Sequence, residues 1–387
     1  MKAGLLGRQL GHSLSPQIHR FFGDYDYALY AREPEEVADF VRSFLTASSG
    51  GFLNVTIPYK VKVAELCDRL SPLAQRLGNV NFVRLDKDGS LYGDNTDYSG
   101  FARLLDSTGA SASDGVRAAV LGAGGAAATA KAVLEDRGYA VEIVRRGELP
   151  SDSADLIVNA TPVGMFPKGD EVRLDIVGYP NCRTVLDLVY NPSPTRLVHE
   201  ARACGKTAED GFVMLIAQAY RAFKLSQGAA EDDAPAFAGG NLYLYGPPAS
   251  GKSTWARRLS IALDVETVDL DAEIVSRAGR TIPEIFAAEG EAAFRRLEGE
   301  ELARVAARTG RIVALGGGAL LNAESRRIAE ASGRVVFLDC GTEELVRRAR
   351  LSADRPLLAD DCEGRLRRLL AARSDHYASF SRRVVFG

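Results

Sequence analysis

Gly246-Pro-Pro-Ala-Ser-Gly251-Lys252-Ser253-Thr254 stands well past the middle of the chain. It follows an apolar run, Asn241-Leu-Tyr-Leu-Tyr245, and leads into Trp255-Ala-Arg-Arg-Leu-Ser-Ile-Ala-Leu263, whose apolar residues recur at helical spacing. Strand, glycine-rich loop and helix in that order make a phosphate-binding (Walker A) loop: backbone N–H groups wrap a phosphate and the helix N-terminus faces it. Gly246 and Gly251 bound the loop, and Lys252 is placed to reach the β- and γ-phosphates of ATP. Ser253 offers a hydroxyl to Mg2+, with Thr254 beside it at the helix start.

A second glycine-rich loop lies upstream. Gly122-Ala-Gly124-Gly125-Ala126-Ala127 follows a strand at 116–121 and precedes a helix expected over 128–136, the setting of a dinucleotide loop. Taken alone, such a loop is often only a tight turn; the strand before it and the βαβ spacing after it add weight. An NAD site carries an acidic residue at the end of the next strand, Ala140–Val144, to hold the ribose hydroxyls. Here Arg145 and Arg146 stand there, and two guanidinium groups suit the 2′-phosphate of NADP(H) instead. Two nucleotide loops of different chemistry predict two enzymes in one polypeptide.

The whole chain bounds the rest. Its 387 residues suit two or three domains, and 46% hydrophobic with 26% charged residues is ordinary for a globular protein. A net charge of −3 gives no general pull toward nucleic acid or membrane. No run approaches a transmembrane length and the N-terminus has no signal-peptide pattern, so no membrane association is expected. Cys67, Cys182, Cys204, Cys340 and Cys362 are scattered without a C-x-x-C pair, which predicts a reducing cytoplasm and no structural zinc. Strand-like and helical runs alternate throughout, an α/β pattern with largely parallel sheets, and 227–235 reads as the main linker.

Three polar clusters mark the first half: Gly11-His-Ser13-Leu-Ser15-Pro-Gln-Ile-His19, Asn54-Val-Thr56-Ile-Pro-Tyr-Lys60 and Gly93-Asp-Asn95-Thr-Asp97. Hydride delivery to a carbonyl leaves an alkoxide that needs a proton donor, and Lys60 beside the Asp97 carboxylate is the natural pair. Ser13, Ser15, Thr56 and Asn81 offer short polar contacts to a polyhydroxylated acid. Singly, each cluster is equally a helix cap or a turn.

In order, and joined by Val158-Asn-Ala-Thr-Pro-Val-Gly-Met165 and Gly211-Phe-Val-Met-Leu-Ile-Ala-Gln218, they resemble the shikimate dehydrogenase family from Met1 to about Gly228. The resemblance implies a catalytic pair, Lys60 and Asp97, with Ser13, Ser15, Thr56, Asn81, Asp97 and Gln218 on the substrate. It implies that Gly122, Gly124, Gly125, Ala126, Arg145 and Arg146 hold NADP(H), with Tyr190 and Gly211 near the nicotinamide or substrate. It further implies a shikimate-binding domain over 1–100, completed by a helix near 205–228, and a Rossmann NADP domain over 101–204. Tyr98 and Phe82 depart from the family pattern and are expected to add bulk near the ring of the substrate. Quinate is the close alternative substrate; the paired serines favour shikimate.

In the second half, Val268-Asp269-Leu-Asp271 reads as a strand end with two carboxylates on one face, followed by Gly290-Glu-Ala-Ala-Phe294-Arg295-Arg296 and Ala314-Leu-Gly316-Gly317-Gly318. One carboxylate suits Mg2+ and the other an attacking hydroxyl. With Ile285-Phe286, Glu298, Arg355-Pro-Leu-Leu358 and Arg373 ahead of Tyr377, this series resembles the shikimate kinase family from about Ala238 to Gly387. That implies a P-loop kinase domain over 238–387, a parallel sheet with flanking helices, after a linker at 229–237. By the likeness Asp271 grips the shikimate hydroxyls, Arg295 and Arg373 its carboxylate, and Gly317 and Gly318 lie beneath the ring. Arg355 belongs to a lid over ATP, and Ser253 with Asp269 serves Mg2+. One of Arg347 and Arg348 is expected to stack on the adenine. Ala249 stands where the family has glycine and is tolerable if its φ is negative.

The two likenesses together imply successive steps toward aromatic amino acids: 3-dehydroshikimate to shikimate, then shikimate to its 3-phosphate. The rival of another class is a sensor that binds shikimate and nucleotides without turnover. Lys60, Asp97, Lys252, Ser253 and Asp271 speak against it, because a sensor has no use for chemical groups.

Overall fold

Among the described residues, apolar runs spaced by helical segments pair into three sheets. The computed structural model describes residues 1–11, 13–48, 50–112, 115–229, 237, 239–351 and 362–386. The chain divides into two compact units, Met1–Glu231 and Asp232–Gly387. Most of the linker expected at 229–237, and Arg355, lie outside the described residues.

In the first unit β1 (Lys2–Gly7), β2 (Asp26–Ala31), β3 (Phe52–Val55), β4 (Arg69–Leu70), β5 (Phe82–Leu85) and β6 (Leu91–Asp94) assemble in the order β2-β1-β3-β5-β6-β4. β5 runs antiparallel to β3 and β6, so this sheet is mixed rather than parallel. The cause is local. Asp86 N donates to Ser90 O at 2.9 Å and Gly89 takes φ 83°, a tight connection that only antiparallel strands accept. One face buries Leu6, Leu53, Val55 and Val83 against Val37, Val41 and Leu45 of the helix Val37–Ala47. The other is covered by the helix Phe212–Ser226, whose Ala222 and Leu225 join Ala3, Tyr25, Phe52 and Phe82. That helix crosses the helix Asp97–Asp106 at Gly100, where a Cβ would sit 2.9 Å from Met214 O.

The second sheet of this unit is all parallel: β7 (Arg117–Leu121), β8 (Ala140–Val144), β9 (Leu156–Asn159), β10 (Thr184–Asp187) and β11 (Thr207–Asp210), ordered β11-β10-β9-β7-β8. The order reverses direction between β7 and β9, which opens the crevice where doubly wound sheets bind nucleotides. β9 and β10 are buried along their whole length, as a sheet covered on both faces requires.

The second unit holds β12 (Asn241–Tyr245), β13 (Thr267–Asp269), β14 (Ile312–Ala314), β15 (Gly333–Cys340) and β16 (Arg383–Phe386), all parallel, ordered β13-β14-β12-β15-β16. β12, central and wholly buried, delivers the phosphate loop at 246–254 to the carboxyl edge of the sheet. Among the described residues no helix is long and apolar enough to cross a membrane.

Candidate active sites

Lys60 opens the short helix Lys60–Ala64, after a turn closed by Tyr59 N donating to Thr56 O at 2.9 Å. Asp97 opens the helix Asp97–Asp106. Asn81, at the end of the turn before β5, fixes that helix start: its Oδ1 accepts Thr96 N at 2.6 Å. Its Nδ2 donates to Asp97 Oδ1 at 2.9 Å, and Lys60 Nζ bonds the other carboxylate oxygen. The Lys60 and Asp97 side chains keep only 14% and 10% of their exposure, so the pair acts in a medium far less screening than water. Gln218 Oε1, carried in by the helix Phe212–Ser226, lies 3.4 Å from both Asn81 Nδ2 and Thr96 Oγ1.

A polar string continues from Asn81. Asn54 Nδ2 donates to Asn81 O at 3.2 Å, and its Oδ1 accepts Tyr27 OH at 2.9 Å. Burial raises the Tyr27 phenol well above its ordinary range, with a bond to Ser15 working against the rise. Ser13 Oγ donates to Ser15 Oγ at 3.1 Å. Tyr190, in the loop after β10, has the Ser13 hydroxyl as a polar neighbour; burial raises this phenol and Ser13 opposes the rise. Beneath Tyr27 the His19 ring stacks at 3.9 Å, and burial pushes its pKa down to about 3, so it is a neutral platform. Ser13, Ser15, Asn81, Asp97, Lys60, Gln218 and Tyr190 are thus joined by contacts in one region, with Thr56 in the turn that leads to Lys60. Tyr27 and Asn54 belong to the same string and escape the sequence reading, although Asn54 stands in the motif that ends at Lys60.

The two departures from the family pattern find partners of their own. Phe82 is fully buried and stacks on Phe52 at 5.6 Å in the core under the sheet. Tyr98 turns outward and donates to Asp136 Oδ2 at 2.6 Å, on a carboxylate also held by Arg76 at 2.6 and 3.2 Å.

The dinucleotide loop lies at the same place. Gly124 is extended and the helix begins at Gly125, three residues earlier than expected from sequence, because small residues carry the first turn. A Cβ on Gly125 would sit 3.8 Å from Lys60 Cδ, and one on Gly122 3.1 Å from Ala160 O. Ala126 follows in the first turn. Arg145 and Arg146 are exposed just past β8, in a turn tied by Arg145 N donating to Glu148 Oε2 at 2.6 Å. Gly211 N donates to Val189 O at 3.0 Å, and a Cβ there would sit 2.2 Å from Leu188 O, so no side chain fits. Narrow glycine approach, a helix start at the loop and two cations at the second strand end fit NADP(H).

In the second unit Lys252 Nζ donates to Gly246 O at 2.9 Å and Pro247 O at 2.8 Å, folded back over its own loop. Gly251 has φ 91° and opens the helix Lys252–Leu263, with Ser253 and Thr254 exposed in its first turn. Ser253 Oγ donates to Asp269 Oδ2 at 3.0 Å, so a hydroxyl and a carboxylate suited to Mg2+ are adjacent. Asp269 Oδ1 accepts Asp271 N at 3.1 Å and Ala272 N at 3.3 Å. This cap starts a helix, Leu270–Ala278, at once; Asp271 therefore sits in a helical turn and not on the strand face that alternation predicts. Ala249 has φ 65°, contrary to the negative value expected, and its methyl packs against a cluster holding Leu345 and Val346.

The three glycines after β14 gather the remaining groups. A Cβ on Gly316 would sit 2.9 Å from both Asp271 Oδ1 and Glu298 Oε1, and one on Gly318 2.7 Å from the Arg295 guanidinium. Arg295 Nη1 donates to Glu298 Oε2 at 2.7 Å. Burial raises the Glu298 carboxyl, Arg295 opposes this, and Asp271 adds to it. Gly317 O accepts Arg373 Nη1 and Tyr377 OH, both at 2.9 Å. Asp271, Arg295, Arg373, Gly317 and Gly318 are brought together as the motif order implies; Glu298, to which the sequence assigns no role, is the buried partner of Arg295. Of the two adenine candidates, Arg348 lies against the loop, 3.7 Å from a Cβ on Gly251, while Arg347 is largely exposed.

These arrangements define a two-lobed dinucleotide-binding unit joined to a P-loop unit of phosphoryl-transfer type. Residues 5–83 match the model of the shikimate dehydrogenase substrate binding domain, and residues 248–386 that of shikimate kinase. A shikimate dehydrogenase (NADP(+)) of Clostridium beijerinckii is 36% identical over 250 residues, 58% of this chain and 91% of the relative. A chorismate mutase/shikimate 5-dehydrogenase fusion protein of Clostridium acetobutylicum superposes with TM-score 0.55 at 31% identity, covering 60% of this chain and 93% of that one. A shikimate 5-dehydrogenase of Thermus thermophilus, solved with NADP(H) and shikimate, gives TM-score 0.52 at 30% identity, covering 60% and 95%. The chain belongs to the shikimate dehydrogenase family and carries a shikimate kinase domain after it.

Proposed function

We propose that this chain reduces 3-dehydroshikimate to shikimate with NADPH and then phosphorylates shikimate with ATP to shikimate 3-phosphate. The observation that carries the first step is the shielded Lys60–Asp97 pair against the dinucleotide loop. NADPH, when bound by Gly122, Gly124, Gly125 and Ala126 with Arg145 and Arg146 on its 2′-phosphate, supplies the hydride. Lys60 Nζ gives its proton to the developing alkoxide, and Asp97, itself held by Asn81, orients the ammonium. Ser13, Ser15, Thr56 and Gln218 hold the substrate hydroxyls and carboxylate, with Tyr190 and Gly211 closing the nicotinamide side.

In the second unit Asp271 accepts the hydrogen bond of the attacking hydroxyl and takes its proton. Arg295 and Arg373 grip the shikimate carboxylate above Gly317 and Gly318, and bidentate guanidinium contacts give a small acid its orientation. Lys252 would leave its loop carbonyls for the phosphates of ATP, and Ser253 with Asp269 would hold Mg2+, which would offset charge on those phosphates. Arg355 serves as the lid cation. The division of the chain between Glu231 and Asp232 supports one enzyme in each unit, the first made of a substrate domain over 1–100 closed by the helix at 212–226 and a dinucleotide domain over 101–204. The cytoplasm is the proposed site of action, since thiols at Cys67, Cys182, Cys204 and Cys340 are free.

Steady-state assays of each half with shikimate as the shared ligand test this reading. Reduction of 3-dehydroshikimate by NADPH and ATP-dependent phosphorylation of shikimate are expected; a chain that binds all four ligands and turns over none would be the sensor instead.

A further inference from the structure

Asp187, Asn159 and Asp210 end three adjacent strands in one row, for Asp187 is in register with Asn159 on β9 and with Asp210 on β11. Asp187 is 1% exposed, yet none of the proposed chemistry uses it. Its carboxylate accepts three donors: Asn159 Nδ2 at 2.9 Å, Thr195 Oγ1 at 2.7 Å and Val189 N at 3.1 Å. Each stands at the carboxyl edge of the dinucleotide sheet. Asn159 Oδ1 goes on to accept Thr161 Oγ1 at 2.6 Å, and Thr195 Oγ1 accepts Val198 N at 3.3 Å to cap the helix Arg196–Ala203. Val189 is the residue before Tyr190, whose phenol has Ser13 as a polar neighbour.

The geometry assigns Asp187 as the positioning residue of the loop that presents Tyr190 to the dehydrogenase site. This rests on the reading of Ser13 and Tyr190 as substrate-side groups. The ionised carboxylate takes all three as charge-assisted bonds, Asn159 and Val189 on Oδ1 and Thr195 on Oδ2; protonation leaves Oδ1 a weaker neutral acceptor and makes the Thr195 hydroxyl turn round to accept from Oδ2. Burial lifts this carboxyl to about 6; the bonds from Thr195, Val189 and Asn159 oppose the rise, and Asp210, the charged group facing it from β11, adds to it. The sign of the linkage is unusual. The folded state holds the Asp187 proton more tightly than the unfolded chain, so acidification through this window favours the fold while it weakens the loop anchor from charge-assisted to neutral bonds. Stability and activity therefore move in opposite directions.

The experiment uses the full chain and measures KM and kcat for shikimate oxidation with NADP+ from pH 5 to 8, beside thermal unfolding and the kinase rate. Asp187→Asn is expected to raise KM for shikimate roughly tenfold or more, to keep the fold and the kinase rate, and to abolish the acid limb of kcat/KM near pH 6. Thr195→Val removes a bond that lowers the carboxyl, so it is expected to move that limb to higher pH. Tyr190→Phe should share the KM defect without moving the limb. Asp187→Asn with wild-type KM and an unchanged limb, beside an impaired Tyr190→Phe, would overturn the assignment. A silent Tyr190→Phe would overturn the reading of the site beneath it. Should Asp187→Asn fail to fold, an unmoved limb in Thr195→Val is the contradicting result.

Discussion

Asn81 Nδ2 donates to Asp97 Oδ1 at 2.9 Å, on the carboxylate whose other oxygen bonds Lys60. One amide side chain thus holds the carboxylate that pairs with Lys60, the proposed proton donor, and its own oxygen fixes the start of the Asp97 helix. Asn81→Ala should lower kcat/KM for 3-dehydroshikimate roughly 10- to 100-fold, the worth of one hydrogen bond to a charged group. The kinase rate of the same protein should not change, and stopped assays of both halves would register an equal loss as evidence against a local role.

Arg145 and Arg146 stand exposed where the second strand of the dinucleotide sheet ends. Replacing both by Ala should raise KM for NADPH roughly tenfold or more, each guanidinium–phosphate contact being a charge-assisted bond. KM for NADH should barely move. Equal changes for the two cofactors would separate these side chains from the 2′-phosphate.

Gly316 faces Asp271 Oδ1 and Glu298 Oε1 across the space a Cβ would fill, 2.9 Å from each. Gly316→Ala should displace both carboxylates, and a shift of this kind costs about a hundredfold in kcat/KM for shikimate phosphorylation. Reduction should be untouched. A Gly316→Ala protein with wild-type kinase kinetics would remove the triple-glycine turn from the site.

Ala249 holds φ 65° inside the phosphate loop. A left-handed non-glycine residue costs about 1–2 kcal/mol, partly offset here by its packed methyl and by the chain entropy of glycine. Ala249→Gly should stabilise the second unit by about 0.5–1 kcal/mol, read as a higher urea midpoint for the fluorescence of Trp255. A lower midpoint would show that the methyl contacts with Leu345 and Val346 outweigh the strain.

Sequence patterns expose the sites unevenly, for physical reasons. The phosphate loop, the dinucleotide loop and Lys60 with Asp97 are legible because each chemistry demands a residue type at a fixed spacing. Asn54, Tyr27, Glu298 and Asp187 act by bracing other groups, and such roles depend on partners far along the chain. Alternation in Val268-Asp-Leu-Asp271 points to a strand for Asp271; the Asp269 side chain caps a helix there and wins. The family pattern puts Phe82 and Tyr98 at the substrate ring, yet strand pairing turns one into the core and Asp136 draws the other outward. The mixed first sheet follows from the Asp86–Ser90 turn, whose Asp-Gly pair is a readable hairpin signal.

The most direct test of two enzymes in one chain is a single incubation with 3-dehydroshikimate, NADPH, ATP and Mg2+, followed by mass spectrometry, on the wild type, Lys60→Ala and Lys252→Ala. The wild type should accumulate shikimate 3-phosphate only when both nucleotides are present. Lys60→Ala should leave 3-dehydroshikimate unreduced yet phosphorylate added shikimate, Lys252→Ala should stop at shikimate, and mixing the two should restore the phosphate. A wild-type chain that binds both nucleotides and forms neither product would contradict the account.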